Sequence, residues 1–182
     1  VPLIEGEGGE VTVPARKLMD ICRELPDKAE IELLLVGQRL TVKAGRFRST
    51  LSTLPAEDFP TVEKSIAEMS TRIDSKSLKR LLDRTAFAMA QQDVRYFLNG
   101  MLIEMGGDYV KTVATDGHRL AMSNLKLAEP RVDSRQVIVP RKGVLELQRL
   151  LHEVDGDIAI AIGSNYLMAE SADFALTTKL VD

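Results

Sequence analysis

An acid, a histidine and an arginine stand within four positions in the stretch "ATDGHRLAMS", residues 114–123: Asp116, His118 and Arg119. A carboxylate near an imidazole is the raw material of general acid/base catalysis, which needs a titratable pair aimed at one reacting atom. The same letters carry a second reading. Asp-Gly between runs rich in Val, Ala and Leu is the strongest short-range signal for a tight β-hairpin turn, because Gly117 tolerates positive φ without steric cost. A hydrolase would also want a nucleophile motif, a phosphate-binding loop or spaced metal ligands, and the sequence offers none of them. The only other histidine, His152, falls at the end of a different predicted helix. The turn is the stronger reading, with no catalytic residue, no metal and no cofactor expected.

The elements that would hold such a turn recur along the chain. "VTVP" at 11–14 returns as "VIVP" at 137–140, each followed by an Arg-Lys pair and a short amphipathic stretch, "ARKLMDICREL" and "RKGVLELQRLL". Pro14 and Pro140 stand near the first helical turn, where a missing N–H costs nothing. Period-2 alternation then follows both times, broken at glycine-containing turns, the pattern of half-buried antiparallel strands. A third copy lies between them. "TRID" predicts a strand, 75–90 a helix capped by Asp74 or Ser75, and 96–123 three further strands with turns at Gly106-Gly107 and Asp116-Gly117. The chain therefore divides into three β-α-β-β-β units, near 10–54, 71–125 and 135–182. "PAEDFPTVEKS" at 55–65, with two prolines and mixed charge, separates the first unit from the other two. Units two and three would pair into one domain, leaving unit one as half of another.

Composition bounds the rest. A chain of 182 residues with 45% apolar content buries a real core. It has no run of about 18 apolar residues and no signal-peptide pattern, so neither a membrane span nor secretion is expected. The single cysteine, Cys22, makes no internal disulfide, fits a reducing cytoplasm and is expected as a small core side chain. The net charge of −3 argues against nucleic acid until the charges are placed. The predicted helices 14–25, 75–90 and 140–151 hold ten basic residues, Arg16, Lys17, Arg23, Lys76, Lys79, Arg80, Arg84, Arg141, Lys142 and Arg149, against four acids. In the central helix Leu78, Leu81, Leu82, Thr85 and Met89 share one face and Lys76, Arg80 and Arg84 another. One basic face is ordinarily only solvated surface. Three of them in an acidic protein point instead to a phosphate backbone, bound electrostatically and without reading sequence.

"TVPARK", "LSTLPAEDFP", "QDVRYFLNGML", "TVATDGHRLA" and "VIVPRKGV" resemble, in order, motifs of the bacterial sliding clamps, the beta subunits of DNA polymerase III. The resemblance covers essentially the whole chain. It implies an α+β DNA-clamp fold of repeated β-α-β-β-β units, antiparallel sheets outside and helices lining a channel. It further implies a homodimeric ring when full length, encircling double-stranded DNA in the cytoplasm, at the nucleoid. On this likeness the turn belongs to a cleft that takes short linear motifs from replicative and other DNA polymerases, the clamp loader and repair proteins. Carried over, the cleft positions are Leu98, Thr115, Gly117, His118, Arg119 and Leu120. Gln92, Arg95, Tyr96 and Phe97 fall on a loop that touches DNA leaving the ring, with Phe97 where family members often have a second tyrosine. Residues 1–68 would then be the C-terminal half of the clamp's first domain and 69–182 a nearly complete middle domain, the third domain lying outside the chain. The alternative is a repeat-built protein-interaction scaffold without DNA binding.

Overall fold

The computed structural model describes Gly6, residues 8–60 and residues 67–181, the side chains of 128–132 excepted. Contacts divide the chain into two compact units, Val1–Thr61 and Val62–Asp182. Of the predicted linker, residues 55–60 carry the end of a strand pair and a 3-10 turn at Ala56–Asp58, while 61–65 lie outside the described residues.

In the first unit Pro14, at φ −62°, opens the helix α1 (Ala15–Glu24). Proline's fixed φ already suits the helix entry. Strand β1 (Val11–Thr12) pairs antiparallel with β5 (Leu54–Pro55), and β2 (Glu32–Val36), β3 (Arg39–Ala44) and β4 (Phe47–Ser52) form a three-stranded antiparallel meander. Leu40, Val42 and Leu51 are buried, whereas α1 has no buried residue and β2 is exposed along its whole length. Cys22 is exposed, not a core side chain as its apolar neighbours suggested. The half-buried residues Leu18, Ile21 and Leu25 define the covered stripe at helical spacing, and Cys22 stands one position off it.

The second unit holds the larger core. Strand β6 (Met69–Asp74) runs into α2 (Ser75–Asp83), whose Ser77 N–H is capped by the Asp74 carboxylate at 2.9 Å. Long strands β7 (Gly100–Thr115) and β8 (Leu120–Pro140) make an antiparallel ribbon, and α3 (Arg141–Leu150) follows β8 directly. Strands β9 (Asp157–Ile162), β10 (Tyr166–Glu170) and β11 (Ala175–Lys179) complete a four-stranded antiparallel sheet in the order β11-β10-β9-β6. Leu78, Leu81 and Leu82 of α2 and Val144 and Leu147 of α3 join Met101, Val139, Ile158, Ile162 and Leu167 in one core. Each such side chain contributes about 1.5–3 kcal/mol on removal from water.

Two local expectations are corrected. The central helix stops at Asp83, not near residue 90, and a 3-10 turn covers Ala86–Ala88. Thr85 is the reason. Its buried hydroxyl lies 3.2 Å and 3.3 Å from the Leu81 and Leu82 carbonyl oxygens, and its N–H bonds Leu82 three residues back, so the helical ladder tightens and ends. Second, residues 100–123 form two long strands and not three short ones. Gly106-Gly107 is a bulge, where pairing shifts from Met105 opposite Arg135 to Gly107 opposite Arg131 and then Tyr109 opposite Lys126. A Cβ on Gly106 would lie 2.6 Å from that of Ser134, so only glycine lets the ribbon close there. The Tyr109 hydroxyl donates to Glu104 at 2.6 Å and Lys111 pairs with the same carboxylate, bracing the bulge from both sides. One consequence of β8 reaching Pro140 is that the second and third repeats share a strand.

Candidate functional site

Pairing of Thr115 with Leu120 closes the β7–β8 ribbon and leaves residues 116–119 as its connection. The Thr115 hydroxyl donates to the Arg119 carbonyl at 2.7 Å and accepts the Gly117 N–H at 3.1 Å. Gly117 sits at φ +89°. Asp116 Oδ1 accepts the backbone N–H of His118 and of Arg119, both at 3.0 Å, and Oδ2 accepts from Arg119 Nε at 3.1 Å. Those two backbone donors, His118 first, hold the Asp116 carboxyl below its ordinary value, and Arg119 adds to the effect. The acid therefore meets the main chain of His118 and not its ring. It ties off the turn, and the reversal falls where the Asp-Gly signal put it.

Beside the turn lies the segment Gln92–Asn99. Asp93 accepts the Arg95 N–H at 2.8 Å and takes its guanidinium in two further bonds, from Nε at 3.0 Å and Nη2 at 2.9 Å. These bonds, the side-chain ones first, pull the Asp93 carboxyl down to about 2. The Arg95 guanidinium in turn lies over Gly117. Arg95, expected on a DNA-facing loop, is thus neutralised by its neighbour and placed against the turn. Tyr96 and Phe97 are exposed and meet edge to face at a 6.0 Å centroid separation, and Gln92 is exposed at φ +58°. Leu98 is half-buried, its carbonyl accepting the Ala90 N–H at 3.0 Å.

Leu120 is 66% exposed, Met122 65% and Phe87 58%, large values for apolar side chains on a folded unit. Arg119 donates to the Phe87 carbonyl at 2.8 Å, and its guanidinium lies 5.6 Å from the Phe87 ring centroid, within cation–π range. Met122 and Phe87 were absent from the sequence-derived set. Met122 had a signal, since it stands two residues from Leu120 on the same strand face. Phe87 had none, because its place depends on the helix ending at Asp83.

The basic helix residues divide by local pairing. Lys76 bonds Asp155 at 2.8 Å, Lys79 bonds Asp83 at 2.6 Å and Arg149 bonds Glu146 at 3.0 Å. Arg80 on α2 and Arg84 just past its end, Lys142 on α3, and Arg16, Lys17 and Arg23 on α1 are exposed, with no ion-pair partner among the described residues. Arg141 is half-buried, with one guanidinium nitrogen buried and without a hydrogen-bond partner among them. No group of three or more metal-ligating side chains occurs among the described residues, and none of their helices is long and apolar enough to cross a membrane.

Comparison with known proteins bears directly on this arrangement. Residues 2–63 match the family model for the DNA polymerase III beta subunit, N-terminal domain, and residues 72–182 that for its central domain. The beta sliding clamp of Pseudomonas aeruginosa is 57% identical over 176 residues, 97% of this chain and 48% of that protein. That of Escherichia coli K12 is 51% identical over the same shares. The chain spans about half the length of the curated relatives it matches. A crystal structure of the Pseudomonas aeruginosa subunit superposes with a TM-score of 0.93 at 57% identity, covering 97% of this chain and 48% of that one. The Caulobacter crescentus beta subunit gives 0.87 at 36% identity, over 96% and 49%.

Proposed function

This chain belongs to the DNA polymerase III beta subunit family, and on that premise we propose that it is part of a replicative sliding clamp. Residues 1–68 are the second half of the clamp's N-terminal domain and 69–182 its middle domain. The whole protein closes as a homodimeric ring around duplex DNA in the cytoplasm, at the nucleoid, and tethers polymerases, the clamp loader and repair proteins through short linear motifs. It performs no covalent chemistry.

The tethering role rests on one observation: a turn whose acid is consumed by its own backbone displays Leu120 beside an Arg119–Phe87 stack. Such a surface offers a peptide apolar area and a cation whose stem can pack while its head stays wet. Thr115, Gly117, His118, Arg119, Leu120 and Leu98 form this site, to which Phe87 and Met122 are added. The DNA role rests on the exposed cations of the three helices. Enclosure supplies the hold, so weak contacts to phosphates suffice and permit sliding. Gln92, Tyr96 and Phe97 are assigned to the same partner, the two rings as stacking surfaces for bases.

The full-length protein tests both roles. Titration with a polymerase-derived peptide should give saturable binding that Leu120→Ala weakens, and retention should be longer on circular than on linearised DNA. Equal retention on both forms would remove the ring, and peptide binding indifferent to Leu120→Ala would remove the site.

A further inference from the structure

The segment Gln92–Asn99 reaches the turn at Arg95. A Cβ built on Gly117 would lie 3.1 Å from Arg95 Nη2 and 3.4 Å from Nη1, so the guanidinium rests where a side chain would stand. An arginine on an exposed loop does not hold such a place unaided, because its long stem has many rotamers to lose. Asp93 removes that freedom with two bonds to the guanidinium, and accepts the Arg95 backbone N–H as well. Asp93 is held in turn by Asn99, whose Oδ1 accepts the Asp93 N–H at 2.9 Å and whose Nδ2 donates to the Asp93 carbonyl at 2.8 Å. The result is a relay of contacts, Asn99 to Asp93 to Arg95 to Gly117, with only the last member on the peptide-facing turn.

We propose that Asp93 and Asn99 are positioning residues for peptide recognition, holding Arg95 over Gly117 and so fixing the turn that presents Thr115, Arg119 and Leu120. The proposal rests on the reading of that turn as the peptide site. It goes beyond it in one respect, because Asp93 then acts on two ligands in opposite senses. Toward a peptide, the Asp93–Arg95 pair is preorganisation that spares the cost of ordering the turn on binding. Toward DNA, the same carboxylate competes with phosphate for the guanidinium. A residue that only kept the loop folded would weaken both partners or neither.

Asp93→Asn, Asn99→Ala and Arg95→Lys in the full-length protein test this. Each is measured for affinity to a fluorescein-labelled polymerase-derived peptide and for association with a short duplex at several salt concentrations, with thermal melting as a check on folding. Asp93→Asn should weaken the peptide about fivefold or more, the low end of coupling between sites. Asn99→Ala should act in the same direction. Arg95→Lys keeps the charge but loses the fork, and should resemble Asp93→Asn toward the peptide. Duplex association of Asp93→Asn should not weaken, and its salt slope should steepen by up to about 0.9, the increment for one added phosphate contact. If Asp93→Asn melts well below the parent, Asn99→Ala and Arg95→Lys decide the question. Peptide affinity untouched by these variants, or peptide and duplex affinity falling together, would overturn the proposal. A parent protein that fails to bind the peptide removes the site itself; a parent that binds, with indifferent variants, removes only the positioning role.

Discussion

Reversal of Arg80 and Arg84 to Glu, set beside reversal of Lys76 alone, separates a DNA-facing helix from a merely solvated one. Lys76 and Arg80 stand on the face of α2 away from Leu78, Leu81 and Leu82, and Arg84 caps its C-terminal end, yet they differ electrostatically. Lys76 is already bonded to Asp155 at 2.8 Å, whereas Arg80 and Arg84 have no such partner among the described residues. Each phosphate contact contributes about 0.9 to the slope of log affinity against log salt, so losing two flattens it by about 1.8 per protomer. Between about 200 and 50 mM salt, that change removes roughly a twelvefold gain in affinity. Lys76→Glu should move the slope less, since it removes one cation and not two, and that one is shared with Asp155. The assay is retention of the full-length protein on circular DNA across that salt range, with peptide affinity as the control for folding. Equal effects from Lys76→Glu and the Arg80/Arg84 pair, or no effect from either, would refute the reasoning.

Leu120→Ala and Met122→Ala should each weaken a polymerase-derived peptide by about 1–3 kcal/mol in calorimetry, the range for an anchoring apolar contact. Phe87→Ala should cost about 0.5–1 kcal/mol of the same affinity by releasing the Arg119 stack. Leu82→Ala, at a fully buried position in the α2 face, should lower unfolding free energy by about 2–5 kcal/mol in denaturant titration. Gly106→Ala should destabilise by about 1–3 kcal/mol, because its methyl would meet Ser134. In the folded state the Asp93 carboxyl is lowered from 3.8 to about 2, so its contribution to stability is present above 3.8 and is lost as pH falls toward 2. The difference in melting temperature between the parent and Asp93→Asn should therefore shrink as pH falls from 3.8 to about 2.

Much of this architecture was legible because local signals and global packing agree. Pro14 and Pro140 announced α1 and α3, both of which start at the next residue. Asp116-Gly117 announced the one sharp reversal between β7 and β8. The early end of α2 was hidden because the Thr85 hydroxyl, besides the carbonyls one turn back, meets the Thr112 hydroxyl on β7 at 3.1 Å, a tertiary contact that a run of good helix formers does not announce. Gly106-Gly107 looked like a turn and proved a bulge because its partner strand, some 25–30 residues on, continues past it. The exposed cations were visible as a composition bias, but which were already paired was not. Asp155 reaches Lys76 from beyond α3, a distance in sequence that helical spacing cannot report. The same holds for Arg95, whose nearest acid was two letters away while its contact with Gly117 required the fold.

Strand β8 has a consequence for how the molecule comes apart. Its 21 residues hydrogen-bond to β7 over most of their length, and the Ile138–Val181 bridge stitches its far end to the segment after β11. A strand common to two repeats denies either of them a separate existence: fraying one strips the other of a hydrogen-bonded neighbour and of the Val137 and Val139 side chains in their joint core. Residues 69–181 should accordingly melt as one foldon, with the amides of β7, β8, β9 and β10 exchanging with solvent at a common, globally limited rate. A cut placed between the second and third repeats would leave unpaired strand edges and bared core side chains in both halves.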